Sequence, residues 1–151
     1  MITVRDVPDH VSEAPFISTF IAVALIPVAF LFTHAYFSGK RKLPYHKVTG
    51  ISGIVWDLGM SIFYMLFRLF GGQVEGGIID IHPDLIAYFA IHGMVAAVVI
   101  LLELGILTTG ILQWRRRRPN EWHRRLSTPL YILWFAAFLS GEFVYLVYYV
   151  L

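Results

Sequence analysis

Four long apolar segments, separated by short polar connections, constrain the fold of this chain more than any other feature. They cover about 15–37, 46–70, 84–114 and 123–150 of the 151 residues. Crossing a hydrocarbon layer of about 30 Å takes a helix of about 20 residues, so each segment is long enough to be a membrane span. The sequence therefore predicts an all-α membrane protein, a single four-helix transmembrane bundle whose surroundings are a lipid bilayer.

The placement of basic residues predicts the orientation of these spans. Ten of the 12 Lys and Arg residues lie in two connections, at 38–47 and 114–125, and the other two are Arg5 and Arg68. The remaining connection carries acidic residues and neither Lys nor Arg. Because Lys and Arg are retained on the cytoplasmic side, we expect both basic loops in the cytoplasm and both termini outside. The basic run at 115–118 is expected to lie against anionic lipid headgroups, and no nucleic-acid partner is predicted.

Composition excludes several classes of site. The chain has no cysteine, which rules out disulfides, thiolate metal sites and covalently attached c-type haem. It shows no phosphate-binding loop and no pattern of a catalytic nucleophile, so we expect no independent enzyme, although a subunit that carries electrons stays open. Any metal ion would have to use His, Asp, Glu or Met.

A weak internal repeat relates the two halves of the chain. An aromatic residue, a histidine and a basic residue open spans two and four, at 45–47 and 122–124, and a tryptophan follows at a similar offset, as Trp56 and Trp134. This pattern indicates either two similar helical hairpins packed side by side or a coincidence in a biased composition.

Span two carries a stripe of polar and small residues. His46, Asp57 and Arg68 are spaced by 11 residues, about three helical turns, so they share one face. This face is expected to point into the bundle, and Tyr64 on it, like Trp134 on span four, is a candidate for lining a site. The same face also carries Gly50, Gly53 and Ser61.

Three histidines are predicted at the cytoplasmic end of the spans: His34, His46 and His123. They either point at lipid headgroups or form a ligand set, because two imidazoles on facing helices hold haem iron axially and histidines without thiolate also suit copper. Gly50 and Gly53 are expected to leave space for a flat macrocycle.

The other ionisable residues inside the spans also need partners, since a charge in hydrocarbon is costly. In the outer half, Arg68 either pairs with Glu142 or helps to form a pocket for quinol or a haem propionate. His92 either hydrogen-bonds Arg68 or Glu142, or binds a second haem or a metal ion. At mid-depth, Asp57 and Glu103 are either part of a proton path or neutral hydrogen-bonded contacts between helices.

Three stretches carry a resemblance to a known family. They are Ser-Gly-Lys-Arg-Lys at 38–42 followed by His46 and Lys47, Tyr-Phe-Ala-Ile-His at 88–92, and Trp-His-Arg-Arg-Leu-Ser at 122–127 leading to Gly-Glu-Phe-Val-Tyr-Leu at 141–146. With these stretches the chain resembles the small four-helix membrane proteins of a domain-of-unknown-function family linked to cytochrome oxidase assembly.

The resemblance implies a role in the aerobic respiratory chain. In the family, the histidines that match His46, His92 and His123 stand out as cofactor or metal positions. Three acidic residues depart from the family pattern, which leaves room for a subunit with its own redox or proton function: Asp57, Glu103 and Glu142.

The predicted function is a haem- or copper-handling factor for a haem–copper oxidase in a prokaryotic plasma membrane. Its cofactor would be haem b, with copper as the alternative, held by His46, His92 and His123 with His34 as an auxiliary. One alternative is a b-type cytochrome subunit that carries electrons between quinol and a partner complex, with Arg68 at a propionate. Another is a structural accessory subunit of a larger respiratory complex.

Overall fold

The chain folds as four long helices. The computed structural model describes residues 16–70 and 83–147, apart from the side chains of Arg68 and of residues 83–85. Within these ranges all four helices are long and apolar enough to cross a membrane, and no strand is present. They are α1 (Phe16–Lys40), α2 (His46–Leu69), α3 (Pro83–Arg116) and α4 (Glu121–Tyr145). The predicted four-helix transmembrane bundle is confirmed, and its spans agree with these helices to within a few residues where the structure describes them.

The helices pack as two antiparallel hairpins. Helix α1 packs along α2, α3 packs along α4, and α1 and α4 join the hairpins, whereas α2 and α3 touch only weakly. Going around the bundle, the order is therefore α2, α1, α4, α3, and α2 lies diagonally across from α4.

Both basic connections are tight turns at the same end of the bundle, which we call the basic end. Lys42 and Arg117 adopt left-handed backbone conformations, with φ of 56° and 51°. After α1, the amide of Leu43 donates to the carbonyl of Ser38 at 2.9 Å, which satisfies an end carbonyl of the helix. Asn120 caps α4, since its side-chain oxygen accepts from the amide of Trp122 at 3.0 Å.

The core is centred on Trp134 of α4, which is 3% exposed. Its ring stacks on Phe32 of α1 with centroids 4.7 Å apart and on Phe138 at 5.2 Å. Gly53 of α2 allows α1 to come close at this level, because an added Cβ there would lie 3.2 Å from the Phe32 ring. The other buried apolar members of this core are Val28, Ile54, Val99, Ile106 and Leu130.

The outer surface of the bundle is apolar. Large side chains such as Phe30, Leu101 and Ile132 point away from the other helices and are exposed. A soluble protein rarely shows apolar surface on this scale, whereas lipid tails solvate it well. The chain is a multi-pass membrane protein.

Candidate functional site

Two histidines meet inside the basic end of the bundle. His46 is the first residue of α2 and His123 lies in the first turn of α4. Their ring centroids are 6.0 Å apart and the ring planes are inclined by 76°. Because α2 and α4 are diagonal neighbours, the two rings meet across the interior of the bundle.

Each ring is anchored by a backbone carbonyl of one of the other two helices. Nδ1 of His46 lies 2.7 Å from the carbonyl oxygen of Ala35 in α1. Nδ1 of His123 lies 3.2 Å from the carbonyl oxygen of Ile106 in α3 and 3.3 Å from the hydroxyl of Thr109. A carbonyl oxygen only accepts, so both Nδ1 atoms carry a proton and donate. In the neutral ring this leaves Nε2 as an unprotonated nitrogen, which is the form that binds metals.

The spacing of the pair fits a shared metal ion. Imidazole nitrogens bind metals at about 2 Å, so two rings on opposite sides of one ion have centroids about 6 Å apart. The centroids of His46 and His123 are separated by 6.0 Å. A carbonyl anchor on the second ring nitrogen is the usual support of a metal-binding histidine. The ring separation and the Nδ1 contacts of the pair are therefore compatible with a two-histidine metal site.

Two glycines make room for these rings. A Cβ added at Gly39 would lie 2.7 Å from Nδ1 of His46, and one added at Gly110 would lie 3.2 Å from Cε1 of His123. The sequence reasoning missed both residues, although each lies at the depth of the histidines on a neighbouring span. The sequence also predicted that Gly50 and Gly53 leave space for a flat macrocycle, but helix α1 occupies that space.

His34 and His92 do not join the pair. His34 is exposed, hydrogen-bonds the Thr49 hydroxyl at 3.3 Å and stacks on Tyr45 with centroids 5.2 Å apart. His92 lies toward the opposite end of α3, where its Nδ1 contacts the Ser140 hydroxyl at 2.7 Å. Among the described residues no three His, Cys, Asp or Glu residues are close enough to hold a metal ion together. The predicted three-histidine ligand set is therefore not assembled, and two of its members meet.

Two acidic residues lie buried in the middle of the bundle. Asp57 of α2 is 4% exposed and Glu103 of α3 is fully buried. Their carboxyl groups interact with each other, and Asp57 also interacts with Ser61 and Trp134. Within the described ranges, neither oxygen of Glu103 has a well-formed hydrogen bond. Such a pair needs a proton, a cation or water between its oxygens, because two buried bare charges repel and are poorly solvated.

A cavity of about 610 Å³ occupies the half of the bundle away from the basic end. All four helices contribute to its wall, and Asp57 and Trp134 lie at its innermost level. Tyr64 and Trp134, which the helix faces predicted as lining residues, are both in the wall. The polar residues of the wall include Asp57, Ser61, Tyr64, His92, Glu142 and Tyr145.

Glu142 lines this cavity. Its predicted ion pair with Arg68 falls outside the described residues, because the structure does not describe that side chain. Where side chains are described, the one ion pair joins Arg125 to Glu121 at 3.3 Å, and both side chains are exposed to the surroundings. That contact contributes little to stability.

In comparisons with known proteins, no family model, curated protein or solved structure matches this chain. The family resemblance noted in the sequence therefore stays a prediction.

Proposed function

We propose that this chain is a copper- or haem-handling factor for a haem–copper oxidase of a prokaryotic respiratory chain. The observation that supports this is the pairing of His46 with His123. The backbone carbonyl of Ala35 in α1 holds the His46 ring through Nδ1, and that of Ile106 in α3 holds the His123 ring in the same way. The two ring centroids are 6.0 Å apart. The histidine pair supports the metal chemistry, and the family resemblance supports the respiratory assignment.

Copper fits the pair better than haem does. Imidazole is a good ligand for copper, and two neutral rings present two unprotonated nitrogens without further demands on space. The spacing also suits axial ligation of haem iron, but a macrocycle needs room beside the rings. The face of Gly50 and Gly53, where that room was expected, packs against Ala35 and Phe32 of α1. Bound copper would be the cargo of this protein, which His46 and His123 hold for transfer.

The proposed orientation places the pair near the cytoplasm. Both basic turns are at the end of the bundle where His46 and His123 meet, and the positive-inside rule assigns such loops to the cytoplasmic side. In this orientation, the loops 38–47 and 114–125 would lie in the cytoplasm beside the metal site. An ion could then enter from the cytoplasmic side without crossing the hydrocarbon layer.

A second candidate function is a b-type cytochrome subunit that carries electrons between quinol and a larger respiratory complex. The observation in its favour is the cavity beside the α2–α3 seam, at the far side of the bundle from the histidine pair. In this case Asp57 and Glu103 would relay protons.

The composition of the purified protein separates these functions. We expect protein purified in detergent and loaded with Cu(I) to retain about one copper ion per chain, and its reduced-minus-oxidised optical spectrum to lack the sharp α-band of haem b. An α-band of this kind would favour the cytochrome subunit instead. If neither copper nor haem binds while the protein still supports respiration, it is a structural accessory subunit and the proposal is wrong.

Alanine at Gly39 tests the anchoring of His46 without touching a ligand. The new Cβ would lie 2.7 Å from Nδ1 and 2.8 Å from Cε1 of the His46 ring, so the ring must turn away from the carbonyl of Ala35. We expect the affinity for Cu(I), measured by competition with a chromogenic chelator, to fall by about 10–100-fold, the usual effect of losing a supporting contact. Gly59→Ala is the matched control, because nothing lies within 4 Å of its new Cβ. Equal affinities of the two variants would count against the anchoring role.

A further inference from the structure

The cavity away from the basic end has the size of a small-molecule site. Its volume of about 610 Å³ falls within the range of roughly 300–1,000 Å³ that is typical of ligand pockets. Apolar groups form most of the wall, with the aromatic rings of Phe89, Trp134 and Phe138 among them. Flat rings stack well against such side chains. The wall therefore suits a flat, largely apolar molecule.

The cavity lies beside the least tightly packed seam of the bundle. Residues of α2 and α3 face each other across it, and these two helices are the adjacent pair that touches only weakly. Apolar side chains on the outside of both helices, such as Met65 and Ile86, are exposed and also contribute to the wall. A ligand that enters along this seam comes from the lipid phase, so it is a membrane-soluble molecule.

His92 presents a hydrogen-bond acceptor on the cavity side of α3. The Ser140 hydroxyl donates to the carbonyl of Ala137 at 2.8 Å, so its oxygen accepts from Nδ1 of His92 at 2.7 Å. With the proton on Nδ1, Nε2 of the neutral ring is free to accept from a hydroxyl group. The backbone at Gly141 leaves room beside this edge, since an added Cβ would lie 3.3 Å from Cε1.

Asp57 supplies a second polar group from the neighbouring helix α2. It lies in the cavity wall although its residue is 4% exposed, and it is backed by Glu103, whose oxygens have no well-formed hydrogen bond in the described ranges. An acyl chain would leave such groups unsatisfied, at a cost in free energy. The occupant should therefore carry polar oxygen atoms as well as an apolar body.

We infer that this cavity is a binding site for a quinol-class lipid, the reduced form of a quinone, with Nε2 of His92 and the carboxyl group of Asp57 as acceptors for its two ring hydroxyls. A substituted quinol ring is flat, dissolves in the bilayer through its tail, and carries two hydroxyl groups at opposite edges. The inference goes beyond the proposed metal-handling function, because it concerns the other end of the bundle and does not rest on the histidine pair. It concerns binding alone and includes no electron transfer.

The test is a binding titration in phosphatidylcholine nanodiscs with decylubiquinol, kept reduced under anaerobic conditions, as the probe. The change in the fluorescence of Trp134, which lies in the cavity wall, reports occupancy, and the Trp134→Phe variant shows how much of the signal comes from Trp134. We expect a saturable fluorescence change and about a tenfold weaker affinity in both His92→Phe and Asp57→Leu, since each substitution removes one hydrogen-bond acceptor in an apolar site. His34→Phe is the control, because that residue lies at the basic end and is exposed.

Two results would overturn the inference. One is a fluorescence change that does not saturate, or that His92→Phe and Asp57→Leu leave unchanged. The other is a tightly bound phospholipid, identified by native mass spectrometry, that decylubiquinol does not displace. Copper content is measured on the same preparations, so absence of quinol binding with copper retained separates failure of this inference from failure of the metal-handling proposal.

Discussion

Alanine in place of His123 is expected to lower the affinity for Cu(I) by more than about 100-fold. Loss of a supporting contact alone typically weakens metal binding by about 10–100-fold, and this substitution removes one of the two proposed ligands themselves. The same loss is expected for His46→Ala, because the proposed site holds one ion between the two rings. Competition with a chromogenic Cu(I) chelator in detergent measures the affinity, and circular dichroism verifies that the helices remain.

His34→Ala is the matched control for this prediction. It removes a histidine at the same end of the bundle, but that ring is exposed and contacts Thr49 and Tyr45 instead of the pair. We expect the His34→Ala variant to bind Cu(I) as the unmodified protein does. If His34→Ala and His123→Ala weaken binding equally, the ion is held by surface histidines and the paired site is wrong.

Alanine in place of Trp134 is expected to reduce the free energy of unfolding by about 3–5 kcal/mol, the usual range for large aromatic side chains removed from a core. Trp134 is 3% exposed, and it stacks on Phe32 at 4.7 Å and on Phe138 at 5.2 Å. Because Phe32 belongs to α1, the substitution also loosens the contact that joins the two hairpins. Equilibrium unfolding in mixed detergent micelles with increasing dodecyl sulfate measures the change.

Trp56→Ala provides the comparison. Trp56 is 43% exposed on α2, where it faces away from the other helices. We expect its removal to change the free energy of unfolding by no more than about 0.5 kcal/mol, as for surface positions in general. Similar losses for the two tryptophans would mean that Trp134 does not hold the core together.

The fold could be predicted because the bilayer imposes simple rules. Four apolar segments of sufficient length predict four helices, since a helix satisfies its own backbone hydrogen bonds in hydrocarbon. The buried face of α2 was also predictable, because Gly53 and Asp57 fall on one stripe and both are buried. The order of the helices around the bundle was not predictable. Apolar side chains face both the lipid and the other helices, so the sequence pattern does not show which helices pack against each other.

The site was only partly predictable. His46 and His123 open α2 and α4 at matching depth, which is why the sequence could propose their meeting. Their anchors could not be found in this way, since the carbonyls of Ala35 and Ile106 are backbone groups that every residue carries. The contacts of His92 depend on the rotation of α3 about its own axis, which the sequence pattern does not fix. In the structure the His92 ring contacts Ser140 of α4 and does not reach the pair of His46 and His123.

Glycine spacing was misinterpreted for a physical reason. A glycine in a helix leaves space, and the sequence does not say what fills it. At Gly50 and Gly53 the space is filled by α1, whereas at Gly39 and Gly110 it is filled by the imidazole rings.

The anchoring of the two rings has a consequence for biogenesis. His46 hydrogen-bonds α1 within its own hairpin, and His123 hydrogen-bonds α3 within the other hairpin. Each hairpin can therefore orient its own imidazole ring before the two hairpins dock. If copper binds between the halves as proposed, it would bind only the docked form and would favour docking by mass action. Assembly of the two hairpins and loading with copper would then be thermodynamically linked.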